Sequence, residues 1–231
     1  MHETEETESW GLYDIAVVSA ILLLARIAFV VLLPQIPNIP EKVKLTIALY
    51  FTSLTILCVP VIWVRIRHQL GISALGLRKG RWGRTTIIAV GALSAVVYFI
   101  LASLLFYGRF ILPRFDSGHI IAMIKAPVSF IGFPVLVLSP IGEEIYFRGF
   151  LYEYFLDKLG KFSGLILQAA IFSIAHVTQL SHVQSTDLRF FVSTFATGIV
   201  LGLLYRISNS LYPSIVFHLL YNYAAMIYIF A

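Results

Sequence analysis

The stretch Gly142–Leu151, GEEIYFRGFL, places two adjacent carboxylates and an arginine in a segment whose flanks are apolar enough to lie in a bilayer. An ionisable side chain at membrane depth costs a few kcal/mol or more, so such residues mark functional sites facing the protein interior. Glu144 and Arg148 are four apart, one helical turn, and can pair on one face. Glu143 is turned by about 100° from Glu144 and is left free to face a cavity. Away from loops and chain ends, the other ionisable groups inside apolar runs are Arg26, Glu153, His176 and His218. Of these, Glu153 reads as an interfacial residue, and Arg26 either snorkels or pairs inside the bundle. His218 and Asn222 are again four apart and aim two hydrogen-bonding groups at one point. Asn222 alone would read as interhelical glue; beside His218 it reads as half of a site. A free glutamate out of water can take and return a proton, which is what general-base hydrolysis requires.

These residues need a membrane scaffold, and the composition supplies one. Of 231 residues 59% are hydrophobic and 13% charged, where soluble domains carry about a quarter charged residues. Runs of roughly 20 apolar residues are long enough to span a bilayer. They suggest an all-α, polytopic transmembrane bundle of about seven helices: 12–33, 43–64, 85–107, the acidic stretch, 163–179, 188–205 and 213–230. Pro134 and Pro140 interrupt the fourth, so a fresh helical segment is expected to open just after Pro140. The organisation expected is an acidic tail (1–11), N-terminal helices with a basic loop (12–127) and a catalytic core (128–231), all in one membrane domain. The acidic start lacks the cationic region of a secretory signal, so the first run is expected to remain as a helix. Cys58 is the single cysteine, which excludes an intramolecular disulfide and a cysteine-rich zinc site.

The net charge of +5 comes largely from loops rather than from a nucleic-acid-binding surface. The segment Arg65–Arg84 holds six basic and no acidic residues and is expected to be cytoplasmic, or an amphipathic interfacial helix on anionic lipid. Alternation then puts nine Lys and Arg on the cytoplasmic side and six on the other, with the N-terminus cytoplasmic and the site open towards the cytoplasm.

Three motifs occur in order: EEIYFR fits EExxxR, Phe172 with His176 in FSIAH fits FxxxH, and His218 with Asn222 in HLLYN fits HxxxN. The chain from about Val128 to Phe230 thereby resembles the CAAX-protease and bacteriocin-processing family of intramembrane glutamic proteases, which includes the type II CAAX prenyl endopeptidases. The resemblance implies a membrane-embedded endopeptidase acting on a lipidated or membrane-anchored protein or peptide. It implies that Glu143 activates a water which His176 holds, and that His218 and Asn222 face the oxyanion. Phe172, Glu144 and Arg148 are then supporting residues. No cofactor is favoured, because the HExxH spacing of many zinc proteases is missing. A zinc ion on Glu143, His176 and His218 is the alternative chemistry. An immunity or scaffold protein and a small transporter of the same fold are the rival classes, the latter weakened by the lack of an inverted repeat.

Overall fold

The computed structural model of the chain describes residues 10–107, 130, 132–179 and 188–230. The described residues are helical apart from turns and short connections, and no strand occurs among them. Helices α1 (Leu12–Leu32) and α2 (Glu41–Arg67) are joined through a 3₁₀ turn and a proline-rich corner, and α3 is Arg84–Tyr107. The acidic stretch lies in α4, residues 134–152, which runs directly into α5 (Glu153–Gln179). The last two are α6 (Leu188–Ser208) and α7 (Tyr212–Phe230). The boundary expected at 127/128 lies outside the described residues, as does most of the acidic tail.

Four stretches among the described residues are long and apolar enough to cross a membrane: Leu12–Gln35, Glu41–Arg67, Pro134–His176 and Phe190–Ser208. Arg84–Ile100 is a shorter apolar helix. The third stretch contains a sharp bend: Gly160, with φ +77°, interrupts α5 and folds the chain back, so that Gly164 packs against the Phe155 backbone. α1 shows why this is a membrane protein. Leu23, Leu24, Val30 and Val31 are all more than half exposed, on a helix with little polar face to offer water.

The acidic stretch differs from expectation in one respect. No fresh helix opens after Pro140; one helical run continues from Pro134 to Tyr152 with two π-type segments, Pro134–Leu138 and Ile145–Tyr152, flanking a short α segment. Wider π turns accommodate what a regular helix would break on: Ser139 N–H donates to the Pro134 carbonyl five residues back. Such turns are frequent at functional sites. Here Glu143 and Glu144 stand at the junction between the α and the second π segment.

α4 occupies the centre. It packs on α2, with Ser53 Oγ donating to the Pro134 carbonyl (3.1 Å), and touches α5 and α7. α5 packs along α6, and α3 along α7. The start of α1 is pinned to the end of α2 by Asp14, buried, which accepts from Gly11 N (2.8 Å) and Trp63 Nε1 (2.9 Å) and lies 3.1 Å from His68 Nε2.

The basic segment after α2 is not an interfacial helix. Residues 69–83 form turns that fold onto the protein, because their backbone groups find partners in the α6–α7 turn. Leu75 is fully buried, Leu211 N donates to the Gly76 carbonyl, and Arg81 N donates to the Ser208 carbonyl, both at 2.9 Å. Arg78 donates to Asn209 Oδ1 (2.7 Å) and lies 3.5 Å from Glu153, which also accepts from the Tyr205 hydroxyl. Glu153 is thus a tie between this segment and the bundle, a role that its sequence position did not disclose.

Candidate active site

α4, α5 and α7 bring Glu143, Glu144, Arg148, Phe172, His176 and His218 together. Glu144 and Arg148 are fully buried and joined by Arg148 Nη1 donating to Glu144 Oε1 at 2.9 Å. The guanidinium also reaches the Gly198 carbonyl (3.4 Å) on α6 and lies over the Phe172 ring, 4.3 Å from its centroid. Gln168 donates to the same Gly198 carbonyl at 2.9 Å, so α5 and α6 jointly fix the face against which the arginine rests. A charge this deep is tolerated because partners surround it. Neither Gln168 nor Gly198 carries a signal in the sequence, since each is unremarkable in an apolar helix.

The two histidines are held through Nδ1. His176 Nδ1 lies 2.9 Å from the Phe172 carbonyl, one turn earlier on α5, and His218 Nδ1 lies 2.8 Å from Glu144 Oε1. Both partners can only accept, so each Nδ1 carries the hydrogen, an assignment made from the hydrogen-bond network. The Nε2 atoms then point elsewhere, and both face the same oxygen: Glu143 Oε2, 3.4 Å from His176 Nε2 and 3.7 Å from His218 Nε2. Neither contact is aligned as a hydrogen bond, and Glu143 Oε2 is buried without a hydrogen-bond partner among the described residues. The other oxygen, Oε1, accepts from Ser139 Oγ at 2.7 Å, which fixes the carboxylate's rotation.

With neutral imidazoles, three acceptors converge on one point. Such a set is satisfied by a molecule or group that brings hydrogens or positive charge, such as a water with two O–H donors. The second position of the HxxxN motif is not drawn into this cluster: Asn222 is half-buried one turn beyond His218, with no hydrogen bond to the described residues. Among the described residues, no group of three or more His, Cys, Asp or Glu side chains is arranged to hold a metal ion.

No curated protein and no solved structure matches the chain. Residues 125–224 match a family model described as type II CAAX prenyl endopeptidase Rce1-like. That span contains every residue of the cluster, and the all-α membrane architecture around it agrees. The segment that builds this site is thus similar to the type II CAAX prenyl endopeptidases of the Rce1-like family.

Proposed function

We propose that the protein is an intramembrane endopeptidase that hydrolyses a peptide bond in a lipidated or membrane-anchored substrate by a glutamate-activated water. The observation that carries this reading is Glu143 Oε2, buried, unbonded and flanked by two imidazole Nε2 atoms. A water there donates one hydrogen to Glu143 Oε2 and the other to His176 Nε2, leaving a lone pair for the scissile carbonyl carbon. As the C–O bond forms, the water's proton passes to Glu143 and the carbonyl oxygen becomes an oxyanion. His218 donates from Nε2 to that oxyanion once it takes up a second proton from solvent, with Glu144 as its counter-charge, and Asn222 supplies a second donor. The C–N bond then breaks, and Glu143 returns its proton to the departing amine. Preorganised donors at an oxyanion contribute about 10²–10³ in rate each.

The mechanism assigns no step to a metal ion, and on this reading the site opens towards the cytoplasm, the side to which the positive-inside rule assigns the basic 65–84 segment. The substrate carries a lipid or a membrane anchor, as the family description's prenyl endopeptidase activity suggests. The test is cleavage of a membrane-anchored peptide by the purified protein in liposomes. Glu143→Ala is expected to abolish cleavage while leaving the helical content and unfolding temperature of the protein near their original values. Full activity in that variant overturns the assignment, and failure of the wild type to cleave any anchored peptide favours a transporter or immunity protein.

A further inference from the structure

The end of α2 carries two cations that none of the groups above uses. α2 is 27 residues long, roughly 40 Å, so a helix of this length crosses the hydrocarbon of a bilayer and brings its last turn to the level of the lipid headgroups. Arg65 and Arg67 stand in that turn, both exposed, and neither has a hydrogen bond or ion pair with the described residues. Arg78, by contrast, is taken up by Asn209 and Glu153. Asp14, the buried carboxylate beside this end of α2, is taken up by Gly11 and Trp63. The chain from Arg65 to Arg84 offers no other carboxylate, so the counter-charge of Arg67 comes from outside the protein.

Arg67 lines a cavity of about 500 Å³ whose other walls are Ile21 of α1 and Val59, Ile62, Trp63 and Ile66 of α2. The α2 residues succeed one another at steps of three and four, so they form one strip along the helix that ends on the guanidinium. Ile62 and Ile66 are more than half exposed, and the cavity therefore opens on the lipid-facing side of the bundle. Its size is that of a small-ligand site. Apolar walls with one free arginine at the headgroup end match an amphiphile that has a hydrocarbon chain and an anionic head. The planar fork of arginine suits a phosphate in particular. None of the groups that meet Glu143, which are Ser139, His176 and His218, lines this cavity.

We propose that this cavity binds an anionic phospholipid of the surrounding leaflet, with an acyl chain against Ile21, Val59 and Ile62 and the phosphate on Arg67. The inference does not depend on the endopeptidase reading. A zwitterionic lipid brings its own cation beside its phosphate, so the arginine gives preference to a headgroup of net negative charge. The bound lipid bridges α1 and α2 beside the hydrogen bond from Trp63 to Asp14 (2.9 Å). α1 in turn holds α4, through Trp10 Nε1 donating to the Phe150 carbonyl and the Ser19 and Tyr146 hydroxyls, both at 2.7 Å. Occupancy thus steadies the helix that flanks the Glu143 segment without touching the Glu143 cluster.

Trp63 lines the cavity and reports on its occupant, because bromine atoms on an acyl chain quench a tryptophan they touch. The experiment places the full chain in phosphatidylcholine liposomes and adds phosphatidylglycerol or phosphatidylcholine with brominated chains. The difference between wild type and Trp63→Phe isolates the signal of Trp63 from those of the other tryptophans. Half-maximal quenching is expected at a mole fraction roughly three- to tenfold lower for the brominated phosphatidylglycerol. Arg67→Gln removes that preference and Arg67→Lys keeps part of it. Arg65→Gln, about 160° round the helix from Arg67, leaves it unchanged. Equal quenching by the two lipids in wild type, or an undiminished preference in Arg67→Gln, overturns the proposal. Equal losses in Arg65→Gln and Arg67→Gln also overturn it, since they indicate a diffuse field rather than a site. Relief of quenching by a prenylated peptide but not by unbrominated phosphatidylglycerol assigns the cavity to a substrate's lipid and removes the phospholipid.

Discussion

Glu144 Oε1 accepts from His218 Nδ1 at 2.8 Å while it also holds Arg148 Nη1 at 2.9 Å, so a single oxygen ties α7 to α4 and sets the histidine's tautomer. Glu144→Gln keeps the shape and removes the charge. Arg148 is then left in the interior without its counter-ion, a change that costs about 3–5 kcal/mol in comparable buried pairs. We expect a clearly lower unfolding temperature in detergent and a loss of cleavage of at least about a hundredfold, since His218 loses its counter-charge. Wild-type stability in this variant would show that the ion pair is not what holds the arginine.

Arg148→Lys tests whether charge alone suffices. The guanidinium spans Glu144 and the Gly198 carbonyl and stacks on Phe172, a geometry that an ammonium cannot reproduce. Stacking of this kind contributes about 0.5–2 kcal/mol, and Phe172→Leu removes it together with the ring's contacts to Phe147, His176 and His218. The expected order of thermal stability is wild type, then Phe172→Leu, then Arg148→Lys, and calorimetry in detergent or liposomes reads it. Lysine behaving as well as arginine would remove the fork from the account.

Much of this was legible in the sequence because lipid enforces strict rules. Apolar runs long enough to span a bilayer mark helices, and polar groups left within them have few reasons to be there. The pairing of Glu144 with Arg148 follows from four-residue spacing, whereas the bend at Gly160 carries no signal beyond a lone glycine. The division of labour between the two oxygens of Glu143 was not legible, because Ser139 and the π turns that aim it carry no pattern of their own. The docked segment 69–83 was read as surface, since its basic residues resemble those of any cytoplasmic loop. Its hold comes from backbone hydrogen bonds to Ser208 and Leu211, which no side-chain pattern announces. Asp14 and His68 escaped for a similar reason: a carboxylate near an acidic tail and a histidine near a loop look solvated until Trp63 closes over them.

The metal question has a direct readout. Glu143, His176 and His218 are a ligand type known in catalytic zinc sites, and the Nδ1 partners of the two histidines resemble the outer contacts of such ligands. The glutamate-and-water mechanism needs no ion, so exhaustive treatment with a zinc chelator, followed by elemental analysis, is expected to leave cleavage unchanged. Inactivation that zinc reverses would transfer the water-activating role to the ion, with Glu143 among its ligands.

Orientation is checked with the chain's single cysteine removed by Cys58→Ser. Arg81→Cys and Lys158→Cys then place one exposed thiol each, on the 69–83 segment and near the Gly160 bend. Because Arg78 of that segment meets Glu153, seven residues before the bend, both positions lie towards the same end of the bundle. A membrane-impermeant maleimide is expected to label both in inside-out vesicles and neither in intact cells, which sets the cleft on the cytoplasmic side. Labelling of both from outside would invert the protein and with it the compartment of the substrate.

The last prediction concerns the docked segment and its distance from the chemistry. At Gly149, two turns or so after Glu143 on α4, an added Cβ would lie 2.2 Å from the Leu75 carbonyl oxygen. Gly149→Ala must push the segment away, breaking the contacts of Leu75 and Gly76 with α4 and the α6–α7 turn. Overpacking of this kind costs about 1–3 kcal/mol. The Glu143 cluster makes its contacts through α4, α5 and α7, so the variant is expected to unfold at lower temperature yet keep its KM for an anchored peptide within about twofold below that temperature. A large rise in KM with little loss of stability would mean instead that the segment touches the substrate, and would make residues 69–83 part of the cleft.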